Sequence, residues 1–161
     1  MSSNIRNKII FVCIIIFIIT ILTIIIYASC KLQNYFLNEQ LLEACLKGDI
    51  SQVEELIEHG ADTNYVGYLN ETPLFIAIGN SDLELIELLV KHGADVNQKS
   101  DNGFTSLILA TIEGNKQIVE LLIKNGAQVN VETYDGKTAL SEAKEMNYTE
   151  IIEILKEAGA R

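Results

Sequence analysis

The side chains that most often carry out chemistry in proteins are few in this sequence, and they do not converge. The two histidines, His59 and His92, stand 33 residues apart, each directly before a glycine-alanine pair. A histidine at such a place lies near the end of a helix, where its positive form interacts favourably with the helix dipole. A metal or catalytic site needs neighbouring cysteine, histidine or carboxylate groups, and this spacing supplies none. We therefore predict no catalytic residue, no metal site and no cofactor.

Serine, glycine and cysteine residues also point away from catalysis. No serine stands in a Gly-x-Ser-x-Gly turn, and the glycines form no phosphate-binding loop. Ser51 and Ser81 are instead predicted to begin helices. The three cysteines, Cys13, Cys30 and Cys45, cannot form a disulfide framework, and their spacing is not that of a zinc site. The sequence therefore predicts neither an enzyme nor a protein that binds a small-molecule substrate.

Charge is distributed very unevenly along the 161 residues. All 22 acidic residues lie from Glu39 onward, whereas three of the 12 basic residues (Arg6, Lys8 and Lys31) precede it, so the chain after Lys31 has a net charge of −13. An acidic surface repels the phosphate backbone, which supplies most of the affinity in nucleic-acid binding. We therefore expect no nucleic-acid partner.

An uncharged apolar segment, residues 9–29, precedes the acidic part of the chain. As a helix its 21 residues would span roughly 30 Å, the thickness of the hydrocarbon core of a bilayer. The segment is apolar on every side, and the rest of the chain is too small to bury it as a core helix. We therefore predict one membrane-spanning helix at residues 9–29, between a basic tail (1–8) and a juxtamembrane segment (30–38).

Two other interpretations of this segment stay open. It is long for the apolar centre of a cleaved signal peptide, which has about 7–15 residues. Ala28 and Ser29 before Cys30 match the small residues of a bacterial lipobox, whose cysteine is lipidated after cleavage, although Tyr27 does not fit that pattern. The segment is thus an uncleaved anchor, a cleaved signal peptide or the leader of a lipoprotein.

Orientation of an uncleaved anchor follows from its flanking basic residues, since cytoplasmic flanks carry more lysine and arginine. Arg6, Lys8 and the α-amino group precede the segment, and Lys31 follows it closely. This bias predicts a cytoplasmic N-terminus and an exocytoplasmic domain. It depends on one more basic residue before the segment than after it.

The remainder of the chain repeats itself every 33 residues. Three sets of residues keep this period: Ala44, Ala77, Ala110 and Ala143; Gly60, Gly93, Gly126 and Gly159; and Asn64, Asn97 and Asn130. A fixed period in this range is typical of stacked repeat architectures. A glycine after a helix permits a left-handed cap, and an alanine lets neighbouring helices approach closely. A single helix pair cannot bury its apolar faces, so we expect the units to stack on one another.

Each unit is predicted to contain two short helices. In the second unit, Thr72 and Pro73 have the types that begin a helix, and Ser81-x-x-Glu84 has the form of a capping box before the next one. The first helix of the fourth unit is more polar than its predecessors and carries Ser141, Glu142, Lys144 and Glu145. This composition suits a terminal unit whose outer face meets water.

These patterns carry a resemblance to a known family. The run from Thr72 to Ala77 (TPLFIA), followed by the run from Gly93 to Asn97 (GADVN), is similar to an ankyrin repeat. The resemblance covers residues 34–161 in four tandem units of about 34–66, 67–99, 100–132 and 133–161. It implies an all-α solenoid of stacked helix-turn-helix units with projecting turn tips. The sequence departs from the family pattern where a histidine is usual, at Phe75, Ile108 and Ser141.

The resemblance also implies a binding surface, because partners of ankyrin-repeat proteins contact the turn tips and the inner helix face. Carried over by position, the candidate partner-binding residues are Tyr68, Leu69, Glu71, Asn80, Asp101, Asn102, Phe104, Ile112, Glu113, Tyr134, Asp135 and Lys137. Tyr68, Phe104 and Tyr134 fall on successive tips, where they form an exposed aromatic stripe or pack over their own turns.

We therefore expect a single-pass membrane protein whose ankyrin-repeat domain binds another protein without covalent chemistry. The alternative is an exocytoplasmic inhibitor or immunity-type protein that neutralises an enzyme or toxin. Its acidic domain would then meet a basic target, and salt should weaken that binding markedly.

Overall fold

The structure, a computed structural model, describes residues 3–68 and 70–161. Within these residues the fold is all α, with eight helices and no strand. The helices are α1 (Ser3–Lys47), α2 (Ile50–Glu58), α3 (Pro73–Gly79), α4 (Leu83–Lys91), α5 (Ser106–Ile112), α6 (Lys116–Lys124), α7 (Ala139–Glu145) and α8 (Thr149–Glu157). The chain divides into two compact parts, one ending at Leu37 and the other, the repeat domain, comprising Asn38–Arg161.

The N-terminal part is the portion of α1 that ends at Leu37, and it has the properties of a membrane-crossing helix. Every side chain from residue 11 to residue 36 is exposed. The most apolar window of the helix has a mean hydropathy of 3.1, and it is the one helix in the described part of the chain that is long and apolar enough to cross a bilayer. Length and composition alone support this, and a signal sequence has the same properties. The hydroxyl groups of Thr20 and Thr23 donate to carbonyl oxygens one turn earlier, at 2.8 Å.

The repeat domain is built from short helices that alternate between two layers. The first helices α3, α5 and α7 pack on one another in order, and each also packs on the second helix that follows it. In the other layer α2 contacts α4, and α6 contacts α8. The alanines of the 33-residue period (Ala44, Ala77, Ala110 and Ala143) are each 0% exposed, so these small residues lie in the packed core of the stack. The stacked all-α repeat fold predicted from the period is confirmed.

The repeated asparagines join each unit to the next. Asn64, Asn97 and Asn130 each donate an amide hydrogen to the carbonyl oxygen of the glycine just after the second helix of the following unit, at 3.0–3.1 Å. Each amide oxygen also accepts a backbone N–H of that unit, at 2.6–3.0 Å. These bonds satisfy backbone groups left over at helix ends, which explains why asparagine keeps the period.

The first helices of the later units begin as the sequence indicates. The hydroxyl oxygens of Thr72, Thr105 and Thr138 each accept a hydrogen bond from the backbone N–H three residues further on. Pro73 occupies the first turn of α3, where its missing N–H costs nothing.

The second helices begin at residues that the sequence did not indicate. The prediction that Ser51 and Ser81 begin helices is wrong. Ser51 lies inside α2, and the carboxylate of Asp82, not the hydroxyl of Ser81, accepts the N–H of Leu85 at 3.1 Å to cap α4. Ser81 instead adopts a left-handed φ of 55° in the turn before the cap.

The fourth pair of helices corrects one further expectation. Ser141, Lys144 and Glu145 of α7 are exposed, as predicted for a terminal unit. Glu142 is not, since it is only 4% exposed. Its carboxylate lies 2.9 Å from the Nζ of Lys137, and this ion pair compensates the charge that the packing of α7 against α5 buries.

Candidate functional site

Three equivalent tight turns form the tips that join consecutive units, at residues 67–71, 100–104 and 133–137. In each turn the backbone N–H of the first residue donates to the carbonyl oxygen of the fifth at 2.9 Å. The fourth residue is left-handed each time, with φ of 57° at Asn70 and 80° at Gly103 and Gly136. At Gly103 a Cβ would lie 3.0 Å from the backbone nitrogen of Tyr134, so the second and third tips are packed too closely for a side chain there.

The tips present most of the candidate binding residues to solvent. Tyr68 is 96% exposed and Tyr134 is 76% exposed. Asp101, Asn102 and Asp135 are also exposed, whereas Glu71, Phe104 and Lys137 are half-buried. Leu69 lies outside the described residues. Of the three aromatic rings in the predicted stripe, the structure thus exposes two, at the first and third tips.

Polar contacts fix the geometry of the tips. The side-chain amide of Asn70 donates to the carboxylate of Asp101 on the next tip. Within the third tip, the hydroxyl of Thr133 donates to Asp135 at 2.6 Å and lowers the pKa of that carboxyl. Fixed tips reduce the entropy lost when a partner binds.

Lys137 differs from the other tip residues because its charge is already engaged within the domain. Its Nζ lies 2.9 Å from a carboxylate oxygen of Glu142 and 3.2 Å from one of Glu145. Hydrogen bonds to these carboxylates, first Glu142 and then Glu145, raise the pKa of Lys137. This predicted contact residue therefore offers a partner little net positive charge.

A cleft of about 440 Å³ opens on the inner-helix face beside the first tip. Its lining residues come from the end of α1, the first tip and the helices α3 and α5, and they are Leu46, Glu71, Phe75, Ile76, Gly79, Asn80 and Leu109. Sequence reasoning placed Glu71 on a turn tip and Asn80 on the inner helix face, and in the structure both line this cleft. It missed Leu46, Phe75 and Leu109, because the sequence pattern of a first helix does not distinguish an accessible apolar residue from a buried one.

The other inner-helix candidates lie one unit further along. Ile112, at the end of α5, is half-buried, and Glu113, the residue that ends this helix, is exposed. They stand at the positions of Gly79 and Asn80 in the preceding unit. The side-chain amide of Asn80 donates to the carbonyl oxygen of Cys45 at 3.3 Å, which ties the end of α3 to α1.

Groups with chemical reactivity are placed for structural roles. No group of three or more His, Cys, Asp or Glu side chains in the described residues could hold a metal ion. The Nδ1 of His59 is 2.7 Å from the carbonyl oxygen of Glu55, and the Nε2 of His92 is buried. Burial raises the pKa of the Cys45 thiol to about 12, which leaves it protonated and a poor nucleophile. The arrangement is suited to binding.

Comparison with known proteins gives the family. No curated protein is similar enough to match the chain. A family model described as ankyrin repeats matches in three overlapping copies, at residues 20–100, 41–133 and 95–161. Ankyrin repeats mediate protein–protein interaction and are typically not enzymes. On the strength of these matches and of its stacked helix pairs, the chain belongs to the ankyrin-repeat family.

Proposed function

We propose that this protein is a membrane-anchored interaction module of four ankyrin repeats, about 34–66, 67–99, 100–132 and 133–161. The first repeat would consist of the end of α1 with α2. Equivalent leucines support this assignment, since Leu41 and Leu56 are buried at the positions of Leu74 and Leu89 in the second repeat. Residues 9–29 would form the anchor, which raises the local concentration of the domain at the membrane.

The cleft on the inner-helix face is the observation that carries the binding proposal. Leu46, which is 58% exposed, and the half-buried Phe75 and Leu109 line it in a domain whose other large apolar side chains are mostly buried. Apolar groups that stay accessible beside polar ones are typical of protein interaction sites. We propose that the exposed rings of Tyr68 on the first tip and Tyr134 on the third tip extend this surface, because tyrosine is enriched among residues that dominate binding energy.

Site-specific photo-crosslinking in the full-length, membrane-bound protein tests this proposal. A photoreactive amino acid at Asn80, in the cleft, or at Tyr68, on the first tip, should give the same crosslinked partner band. The same group at Glu120, an exposed residue of α6 on the opposite layer, is the matched control and should give none. Equal crosslinking from Glu120 would place the interface elsewhere and contradict the proposal.

Membrane anchoring has a separate test. The full-length protein should stay with membranes through alkaline carbonate extraction, and a variant that lacks residues 9–29 should not. Protease treatment of sealed vesicles then reports which side holds the repeat domain, which we propose is the exocytoplasmic side. If the measured mass of the mature chain instead corresponds to a chain that starts at a lipid-modified Cys30, the protein is the lipoprotein of the alternative interpretation.

The net charge of −13 after Lys31 favours a second candidate function. An exocytoplasmic inhibitor or immunity-type protein would use this acidic domain to neutralise a basic enzyme or toxin. Its association rate should fall steeply as salt is raised, because long-range attraction between opposite charges is screened. An interaction whose rate is independent of salt would exclude this second function.

A further inference from the structure

One row of equivalent positions on the inner-helix face lacks a side chain at a single place. Leu46, Gly79 and Ile112 stand one period apart, at the ends of α1, α3 and α5. Leucine and isoleucine occupy two of the three positions, and both keep part of their side chain accessible. A Cβ built on Gly79 would meet no atom within 4 Å. The apolar row therefore has a gap at Gly79, and that gap opens into the cleft.

Acidic residues of the same face have no compensating cation. Glu71 lines the cleft itself, and in the following unit Asp101 stands on the next tip and Glu113 ends α5. None of the three has a lysine or arginine within ion-pair distance in the part of the chain that the structure describes. Negative charge here is thus left for a partner to neutralise.

Lysines do occur at the equivalent positions of other repeats, but they are already paired. Lys47 stands at the position of Glu113 and lies 2.8 Å from Glu43. Lys137 stands at the position of Glu71 and is held by Glu142 at 2.9 Å. The two lysines therefore do not offset the negative charge of Glu71 and Glu113.

From the gap and the uncompensated charge we infer that the partner presents a basic–apolar segment. One large aliphatic or aromatic side chain of that segment fills the gap at Gly79 against Phe75 and Leu109. Lysine or arginine residues on either side of it meet Glu71 and Glu113. The cleft has room for such a side chain, since its volume of about 440 Å³ lies within the roughly 300–1,000 Å³ of pockets that hold whole small-molecule ligands. This inference rests on the proposed function, and it specifies the chemistry of the partner.

A peptide selection on the full-length protein in lipid nanodiscs tests the inference without knowledge of the natural partner. The probe is a displayed library of random twelve-residue peptides, and empty nanodiscs remove membrane binders. Enriched peptides should contain one large apolar residue flanked by lysine or arginine. A labelled synthetic copy of the most enriched peptide is then titrated by fluorescence anisotropy.

Three variants locate the binding of that peptide. Gly79→Leu fills the gap with a side chain of the protein itself. The double substitution Glu71→Lys with Glu113→Lys reverses the charge of the two carboxylates. Each of these two variants should raise the Kd of the peptide at least about tenfold. Glu87→Lys with Glu120→Lys makes the same change of net charge at exposed residues of α4 and α6, and it should change the Kd less than about twofold. Circular dichroism of each variant shows that the helices are retained.

Each outcome decides a different point. Peptides without basic residues, or binding that the charge reversal leaves unchanged, would overturn the basic–apolar chemistry while leaving the cleft as a docking site. Binding that survives Gly79→Leu would overturn the gap as the anchor position, and a library that yields no specific peptide would overturn the inference as a whole. The proposed function fails separately, when the natural partner crosslinks from Glu120 as strongly as from Asn80.

Discussion

Four residues at equivalent repeat positions connect the two helices of each pair in a left-handed conformation, and they allow a quantitative test of the fold. Gly48, Ser81, Gly114 and Asn147 have φ of 67°, 55°, 68° and 59°. Glycine adopts this conformation without steric cost, whereas a residue with a Cβ is strained by roughly 1–2 kcal/mol. We therefore expect Ser81→Gly to stabilise the domain, although glycine usually destabilises an ordered segment.

The expected magnitude follows from two opposing terms. Ser81→Gly relieves roughly 1–2 kcal/mol of strain, and the greater freedom of glycine in the unfolded chain costs about 0.5–1 kcal/mol. The difference spans about 0–1.5 kcal/mol, so the free energy of unfolding should rise by an amount near the middle of that range, about 0.75 kcal/mol. Asn147→Gly should gain less, because asparagine tolerates the left-handed region better than serine does.

The reverse substitution at the two glycines provides matched controls. At Gly48 a Cβ would lie 3.6 Å from a carboxylate oxygen of Asp82, an ordinary contact, so Gly48→Ala should cost about 1 kcal/mol in strain alone. At Gly114 a Cβ would lie 2.8 Å from the ring of Tyr148. Gly114→Ala should therefore cost more than Gly48→Ala, because the ring must also move.

Urea unfolding of the full-length protein in a mild non-ionic detergent measures these differences. Far-ultraviolet circular dichroism follows the loss of the repeat helices, and linear extrapolation gives the free energy of unfolding. The expected order of stability is Ser81→Gly, wild type, Gly48→Ala and Gly114→Ala, from highest to lowest. The reasoning is refuted by a Ser81→Gly variant less stable than wild type, or by equal losses for the two alanine variants.

Other predictions concern single side chains. Asp82→Ala removes the cap of α4 and should cost about 1 kcal/mol in the same urea assay, and an unchanged midpoint would contradict this role. The hydroxyl of Ser106 is buried without a hydrogen-bond partner, so Ser106→Ala should stabilise by about 1 kcal/mol, and a loss of stability would refute this. Burial and then the charge of Asp82 raise the pKa of Cys45 to about 12, so this thiol should be alkylated at mildly alkaline pH only after the protein is unfolded, as mass spectrometry can show. Alkylation of the folded protein as fast as of the unfolded protein would disprove this protection. Since Glu142 holds the pKa of Lys137 above its usual value, the ion pair stabilises fully below the ordinary lysine pKa and is lost as pH rises through the raised value. A Lys137→Met variant should lack this step in an alkaline pH series of urea midpoints.

The fold could be predicted because its signals are local and occur several times. A buried alanine such as Ala77 and a left-handed glycine such as Gly93 serve the same packing and capping purpose in every unit, so one physical requirement appears as a period. The starts of the second helices were not predicted because both serine and aspartate can cap a helix. Only the structure shows that Ser81 is left-handed and that the carboxylate of Asp82 makes the capping bond.

The candidate site was less accessible to sequence reasoning than the fold. Turn tips are polar and irregular, so residues such as Tyr68 and Tyr134 could be placed on the surface in advance. Leu46 and Leu109 could not, because an accessible leucine on a helix has the same sequence pattern as a buried one. Which of the two it is depends on whether a neighbouring helix covers it, and that is a property of the stacked array.

Specificity in a repeat domain must come from positions where the units differ. Identical units would give identical surfaces, with no preference for one place over the next. Here the second unit has Gly79 where its neighbours carry Leu46 and Ile112, and at that position an open gap adjoins apolar side chains. The fourth unit closes the same position with Glu145, which is drawn toward Lys137. The residues that vary between units therefore place the cleft within the first three units, while the residues that recur fix the helices that line it.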